Sequence, residues 1–161
     1  MKKIIISLFC LFLIFAVYSQ DDQRIHRFGV RGVFKGDSNE YWGGEFSYQS
    51  YLKGMRRLEF NFGAYSTMSW DLFQFMGIYQ WRLIRKGGFS FYTGPGLGVG
   101  YANYGYGDNK FYGILLANIG VDYTFKFPLQ IGLDWRPEYS ILNEYRDDIS
   151  NQFGLAIRLA F

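Results

Sequence analysis

The last nine residues of the chain alternate without a break. Phe153, Leu155, Ile157, Leu159 and Phe161 fall on one side, with Gly154, Ala156, Arg158 and Ala160 on the other. A repeat of two residues belongs to an extended strand, because successive side chains leave a pleated backbone on opposite faces. The same alternation sets Leu129, Ile131, Leu133 and Trp135 against Gln130, Gly132, Asp134 and Arg136, and Leu58, Phe60, Phe62 and Ala64 against Arg57, Glu59, Asn61 and Gly63. No window after Gln20 carries a helical repeat. The pattern predicts eight strands, at roughly 24–34, 41–52, 56–66, 70–83, 88–101, 111–125, 128–139 and 150–161. Each is longer than the five or six residues usual in a soluble sheet, and about the length a tilted strand needs to cross a bilayer. The expected connections alternate as well. Short ones fall at Leu52–Met55, Ile84–Gly87 and Lys126-Phe127, and longer ones at 35–40, 102–110 and 140–149, with a brief Thr67-Met68-Ser69 after the third strand. Such a meander closes naturally into an up-and-down barrel.

Which face points outward decides the class. The polar face mixes charge with small residues: Arg27, Arg31, Glu45, Arg57, Glu59, Arg82, Asp122, Asp134, Arg136, Glu138 and Arg158 lie among glycines, four of them at Gly94, Gly96, Gly98 and Gly100. Alternate glycines make little sense on a soluble exterior and good sense facing a narrow lumen that must hold larger neighbours. The opposite face is bulky, and an aromatic girdle is expected from Trp42, Tyr51, Tyr65, Trp70, Trp81, Tyr101, Tyr123, Trp135 and Tyr139. The reading is therefore an all-β, eight-stranded antiparallel transmembrane barrel with its polar side turned in.

Met1–Ser19 reads as a cleaved signal peptide. Lys2-Lys3 precede an apolar run from Ile4 to Val17, too short for the helix of about 20 residues that spans a bilayer. Residues 20–161 form the expected barrel domain. Cys10, the one cysteine, lies inside the apolar run, so the exported chain has neither a disulfide nor a thiol to use. A formal net charge of +3 falls to +1 without Lys2 and Lys3, which leaves no electrostatic footprint for nucleic acid. A content of 22% aromatic residues excludes a disordered tail, a collagen-like repeat and a coiled coil.

With strand count, loop asymmetry and the terminal segment Gln152–Phe161 in view, the chain from Gln20 to Phe161 resembles the small eight-stranded outer-membrane barrels of Gram-negative bacteria, of the OmpX and OmpA-transmembrane-domain type. The resemblance implies residence in the cell outer membrane and contact with its lipids and lipopolysaccharide. It also implies an assembly signal in Phe153, Leu155, Ile157, Leu159 and Phe161, read by the barrel-assembly machinery. Leu133–Pro137 also looks like a penultimate-strand pattern of such barrels. No cofactor is implied, and a monomer is expected.

The chemistry-bearing candidates are few. Enzymes of this scaffold, lipid A acyltransferases and deacylases, would need a histidine with serine and a carboxylate near the outer rim. The one histidine, His26, opens the first strand, at the opposite rim, and no motif sets a serine beside it. Glu144 with Asp147-Asp148 is a solvated acidic loop rather than a metal site, and the 94–100 glycine run lacks the lysine and the helix of a phosphate loop. What remains is the lumen. Arg27, Arg31, Arg57, Arg82, Arg136 and Arg158 face Glu45, Glu59, Asp122, Asp134 and Glu138, with Arg27 or Arg31 expected to pair with Glu45, Glu45 with Arg57, Asp122 with Arg136, and Asp134 or Glu138 with Arg158. The function expected is non-catalytic, in envelope integrity or surface interaction. A narrow channel for small or hydrophobic solutes is the alternative, and a lipid A-modifying enzyme is the third reading.

Overall fold

The structure is a computed structural model. It describes residues 26–35, 41–66, 71–103, 109–141 and 149–161. The expected signal peptide, Trp70 and the acidic loop at 144–148 lie outside these residues.

Eight strands run β1 His26–Lys35, β2 Tyr41–Tyr51, β3 Arg56–Ser66, β4 Asp71–Lys86, β5 Phe89–Asn103, β6 Asn109–Thr124, β7 Leu129–Ser140 and β8 Ser150–Ala160. Each pairs antiparallel with the next, and β8 returns to β1 from Arg27↔Ala160 to Lys35↔Gln152, so the sheet has no edge. Closure satisfies the backbone donors and acceptors of every strand within the wall, the condition for crossing hydrocarbon in strands. The exterior suits that medium. Trp42 is 79% exposed and Phe46 70%, in a surface shared with Phe34, Phe62, Phe75, Leu97, Phe111, Leu133, Phe153 and Leu155. An apolar surface of this extent has no place against water.

Two features depart from the expected pattern. The turn expected at Ile84–Gly87 is instead the pair Gly87-Gly88, because β4 continues to Lys86, which faces Phe89. Both glycines have positive φ, 58° and 89°, as a two-residue hairpin loop matching strand twist requires. The strand continues through a bulge: Arg82 pairs with Tyr92 and Ile84 with Phe91, leaving Leu83 unopposed. Leu83 and Ile84 therefore both face outward, and strict alternation ends there.

Tyr51 and Tyr65 were expected in the outer girdle, and both point inward. Tyr65 is buried, and the Tyr51 hydroxyl accepts from Arg57 at 3.0 Å within the bore. Parity is the reason. Tyr51 lies an even number of residues from Glu45, Ser47 and Gln49, and Tyr65 an even number from Arg57 and Glu59, so the pleat sends each with its polar row. The same rule turns Val33, Leu72, Met76, Ile78, Ile114 and Leu116 inward, where Val33 and Leu72 join Tyr65 and Ala102 in one apolar cluster, the other four form a second, and Tyr112 packs against both.

The glycines of β5 make room for these residues. A Cβ added at Gly100 would lie 2.2 Å from the Tyr112 ring, and one at Gly96 2.8 Å from Leu116. Gly44, facing outward, has nothing within 4 Å of that position. Gly100→Ala should lower the urea unfolding midpoint of the refolded barrel by the equivalent of about 1–3 kcal/mol of overpacking. Gly44→Ala should leave it within about 0.5 kcal/mol, as an unobstructed surface substitution does.

Candidate functional site

Among the described residues, the lumen is where polar and charged side chains concentrate. Arginines 31, 57, 136 and 158 and Glu59 are all 0% exposed, so water screens none of them. Arg31 on β1 grips Asp134 of β7 with two nitrogens, Nη2 at 2.5 Å and Nε at 3.1 Å, and donates from Nη1 to Glu45 of β2 at 3.0 Å. Arg136 on β7 joins both neighbours of that arrangement, meeting Glu45 at 3.0 Å, Glu59 at 2.7 Å and Asp134 at 3.1 Å. Arg158 on β8 reaches Glu59 at 2.9 Å and the Ser47 hydroxyl at 2.8 Å. The Tyr65 hydroxyl donates to Glu45.

Glu59 is the hub. Its Oε1 accepts from Arg136, Arg158 and, at 3.3 Å, Ser47, while Oε2 accepts from the amides of Gln49 at 2.7 Å and Gln80 at 3.1 Å. Gln80 passes on to Asn118 at 2.6 Å and takes a hydrogen bond from Arg57 Nε. Seven of the eight strands thus contribute to one connected set, which crosses the bore rather than running along its wall.

The expected pairings fare unequally. Arg31 with Glu45 is present at 3.0 Å. Glu45 does not meet Arg57, because the β2–β3 register sets Glu45 opposite Gly63 and Arg57 opposite Tyr51, six residues away or about 20 Å of strand. Asp122 meets Arg57 at 2.5 Å instead of Arg136, since Asp122 faces Gly132, and Arg136 lies four residues further along β7. Arg158 faces Gln130, four residues from the position opposite Asp134, and finds Glu59 across the bore. Arg27 and Arg82 lie against the Tyr51 ring at 4.4 and 4.5 Å from its centre and have no carboxylate partner among the described residues. Glu138 is buried with one carboxylate oxygen lacking a donor, and Arg158 pairs with Glu59 in its place.

Gly154 is the residue that lets the network cross. A Cβ there would lie 2.1 Å from Arg31 Nε, so the guanidinium passes over β8 through the space the missing side chain leaves and arrives at Asp134 on β7. Gly120 does the same for Tyr92, whose ring stacks on Arg57 at 4.0 Å.

His26 and the terminal segment meet at the seam. Phe161 N–H donates to the His26 carbonyl at 3.0 Å, and its ring lies 6.0 Å from that of His26 and 5.5 Å from that of Phe28. The Tyr48 hydroxyl and His26 Nδ1 are 2.8 Å apart. Phe153, Leu155 and Ile157 stand on the outer face above Phe161, and Leu159 shares their parity.

No family model matches the chain, and no curated protein matches it. Solved structures do. Neisserial surface protein A has a TM-score of 0.69 at 14% identity, over 84% of this chain and 96% of that one. The N-terminal β-barrel domain of Pseudomonas aeruginosa OprF has 0.56 at 18% identity, over 84% and 97%. Ail, the attachment invasion locus protein of Yersinia pestis, has 0.51 at 14% identity, over 84% and 96%. The chain shares the eight-stranded closed-barrel fold of these proteins, with β1 to β8 in meander order.

Glu59→Gln keeps the shape of the hub and removes its charge, leaving Arg136 short of one carboxylate and Arg158 without any. Stability of the refolded barrel should fall by about 3–5 kcal/mol, the usual result of stranding a buried charge. A loss under about 1 kcal/mol in urea titration would show that the two arginines do not depend on Glu59.

Proposed function

We propose that this chain is an exported outer-membrane barrel whose lumen is sealed by its own ion pairs, and that it acts through its outer surface, in envelope integrity or surface interaction, rather than by conduction or catalysis. The observation that carries this reading is the run Glu45–Arg31–Asp134–Arg136–Glu59–Arg158, every side chain of which is fully buried. Eight strands enclose a bore that side chains can just fill, and a network tied across it leaves no continuous water path. The names of two proteins that share the fold, a surface protein and an attachment locus protein, favour a role at the cell surface. In this reading residues 1–19 are removed on export, residues 20–161 form the barrel, and the protein is a monomer among outer-membrane lipids and lipopolysaccharide.

Planar-bilayer recording tests the sealed lumen. The wild-type barrel should show no steady conductance, and Glu45→Ala, which takes one carboxylate from each of Arg31 and Arg136, should open measurable events. Large, steady conductance from the wild type would replace this reading with the narrow channel.

The terminal row Phe153 to Phe161 serves in the same reading as the signal for the barrel-assembly machinery. Phe161 is 45% exposed, so its removal forfeits less than the roughly 2–3 kcal/mol of a fully buried ring. Deleting it should reduce the heat-modifiable, folded band in cell membranes while detergent refolding of the purified chain stays near wild type. Equal loss in both settings would make Phe161 a purely structural residue.

A further inference from the structure

The end of the bore beside the short turns gathers three guanidinium groups around one phenol. Tyr51 closes β2, and Arg27, Arg82 and Arg57 come to its ring from β1, β4 and β3, at 4.4, 4.5 and 5.8 Å from the ring centre. Among the described residues only Arg57 has a carboxylate, Asp122 at 2.5 Å. Arg27 donates to the Tyr51 hydroxyl and Arg82 to the Gly54 carbonyl at 3.3 Å, both of them uncharged acceptors. The Nε atoms of Arg27 and Arg82 and the Nη2 of Arg57 are buried without an acceptor.

Elsewhere in the lumen the described buried arginines, Arg31, Arg136 and Arg158, each meet a carboxylate. Here two positive charges are held beside a third with a single negative charge among them, and Arg82 is only 8% exposed. Like charges this close and this poorly hydrated repel, and a counter-anion relieves the repulsion. The surroundings draw one in. Lys53, Arg56, Arg85, Lys86 and Lys126 are exposed on the same rim, and the turns 52–55, 87–88 and 125–128 contain no acidic residue. Such a field concentrates anions at the mouth it surrounds. Guanidinium forks from three strands match the oxygens of a tetrahedral phosphate group better than the two coplanar oxygens of a carboxylate.

We propose that the turn-side mouth of the lumen, formed by Arg27, Arg57, Arg82 and Tyr51, binds a phosphate-bearing anion. This goes beyond the proposed function and concerns one end of the bore, whether or not the barrel conducts. The phosphate has two sources: free in solution, or carried by an anionic lipid headgroup of the leaflet beside the turns.

The test uses the barrel refolded in zwitterionic micelles, with sodium phosphate in one arm, dihexanoyl phosphatidylglycerol in another, and sodium chloride at matched ionic strength as reference. Isothermal titration should give saturable binding of at least one phosphate compound above the chloride reference, and the arm that binds identifies the source. Arg27→Gln and Arg82→Gln should each weaken it by about tenfold or more, the loss of one charge-assisted hydrogen bond. Arg82→Lys, which keeps the charge without the fork, should fall between wild type and Arg82→Gln. Lys110→Gln, at the opposite end of the barrel, should retain the affinity. Heat-modifiable migration of each variant on a gel establishes that it is folded. Binding no stronger than the chloride reference, or equal binding by wild type and a folded Arg27→Gln/Arg82→Gln double variant, would overturn the site.

Discussion

A backbone crossing hydrocarbon has no water to satisfy its polar groups, and from that requirement most of this molecule follows. An open sheet would leave one row of N–H and C=O groups unpaired at each edge, at several kcal/mol for each group left in lipid. Pairing β8 with β1 removes both edges. Closure with only eight strands makes the bore narrow, and the inverted surface fills that bore with the polar face of every strand.

A narrow polar bore creates its own difficulty, because charges withdrawn from water are costly unless matched in number and geometry. The molecule answers with side chains long enough to cross the axis. Arg31 reaches from β1 to β7, and Arg136 and Arg158 converge on Glu59 of β3 from β7 and β8. Long side chains need space, and the inward glycines supply it: Gly154 beneath Arg31, Gly120 beneath Tyr92, Gly100 beneath Tyr112. Large and absent side chains are thus distributed as complements across strands. Because the pleat has a period of two, a one-residue slip of β8 against its neighbours would turn Arg158 toward lipid and Phe153 into the bore, so the network and the register enforce each other.

The lumen is also divided. The charged set draws mainly on β1, β2, β3, β7 and β8, whereas Met76, Ile78, Ile114 and Leu116 pack together on β4 and β6. The unmatched Arg27 and Arg82 lie apart from both sets, around Tyr51 at the mouth beside the short turns.

The eight strands, their order and the inverted face could be read from alternation alone, since a period of two over ten or more residues leaves the backbone little choice. The inward position of Tyr51, Tyr65, Met76 and Ile78 was equally legible by parity; assigning them by hydrophobicity is what misplaces the two tyrosines. The turn at Gly87-Gly88 was hidden by the bulge at Leu83, which breaks the alternation on which the reading depends. Of the charge pairings only Arg31 with Glu45, directly opposite across β1 and β2, was legible. Which arginine meets which carboxylate depends on strand register and on reach across a closed bore, as Arg31 and Asp134 show from opposite sides of β8. Which residues face the lumen follows from the order of the chain, because facing is a local property of the pleat. How their charges combine emerges on closure, which sets the distances between residues a hundred positions apart.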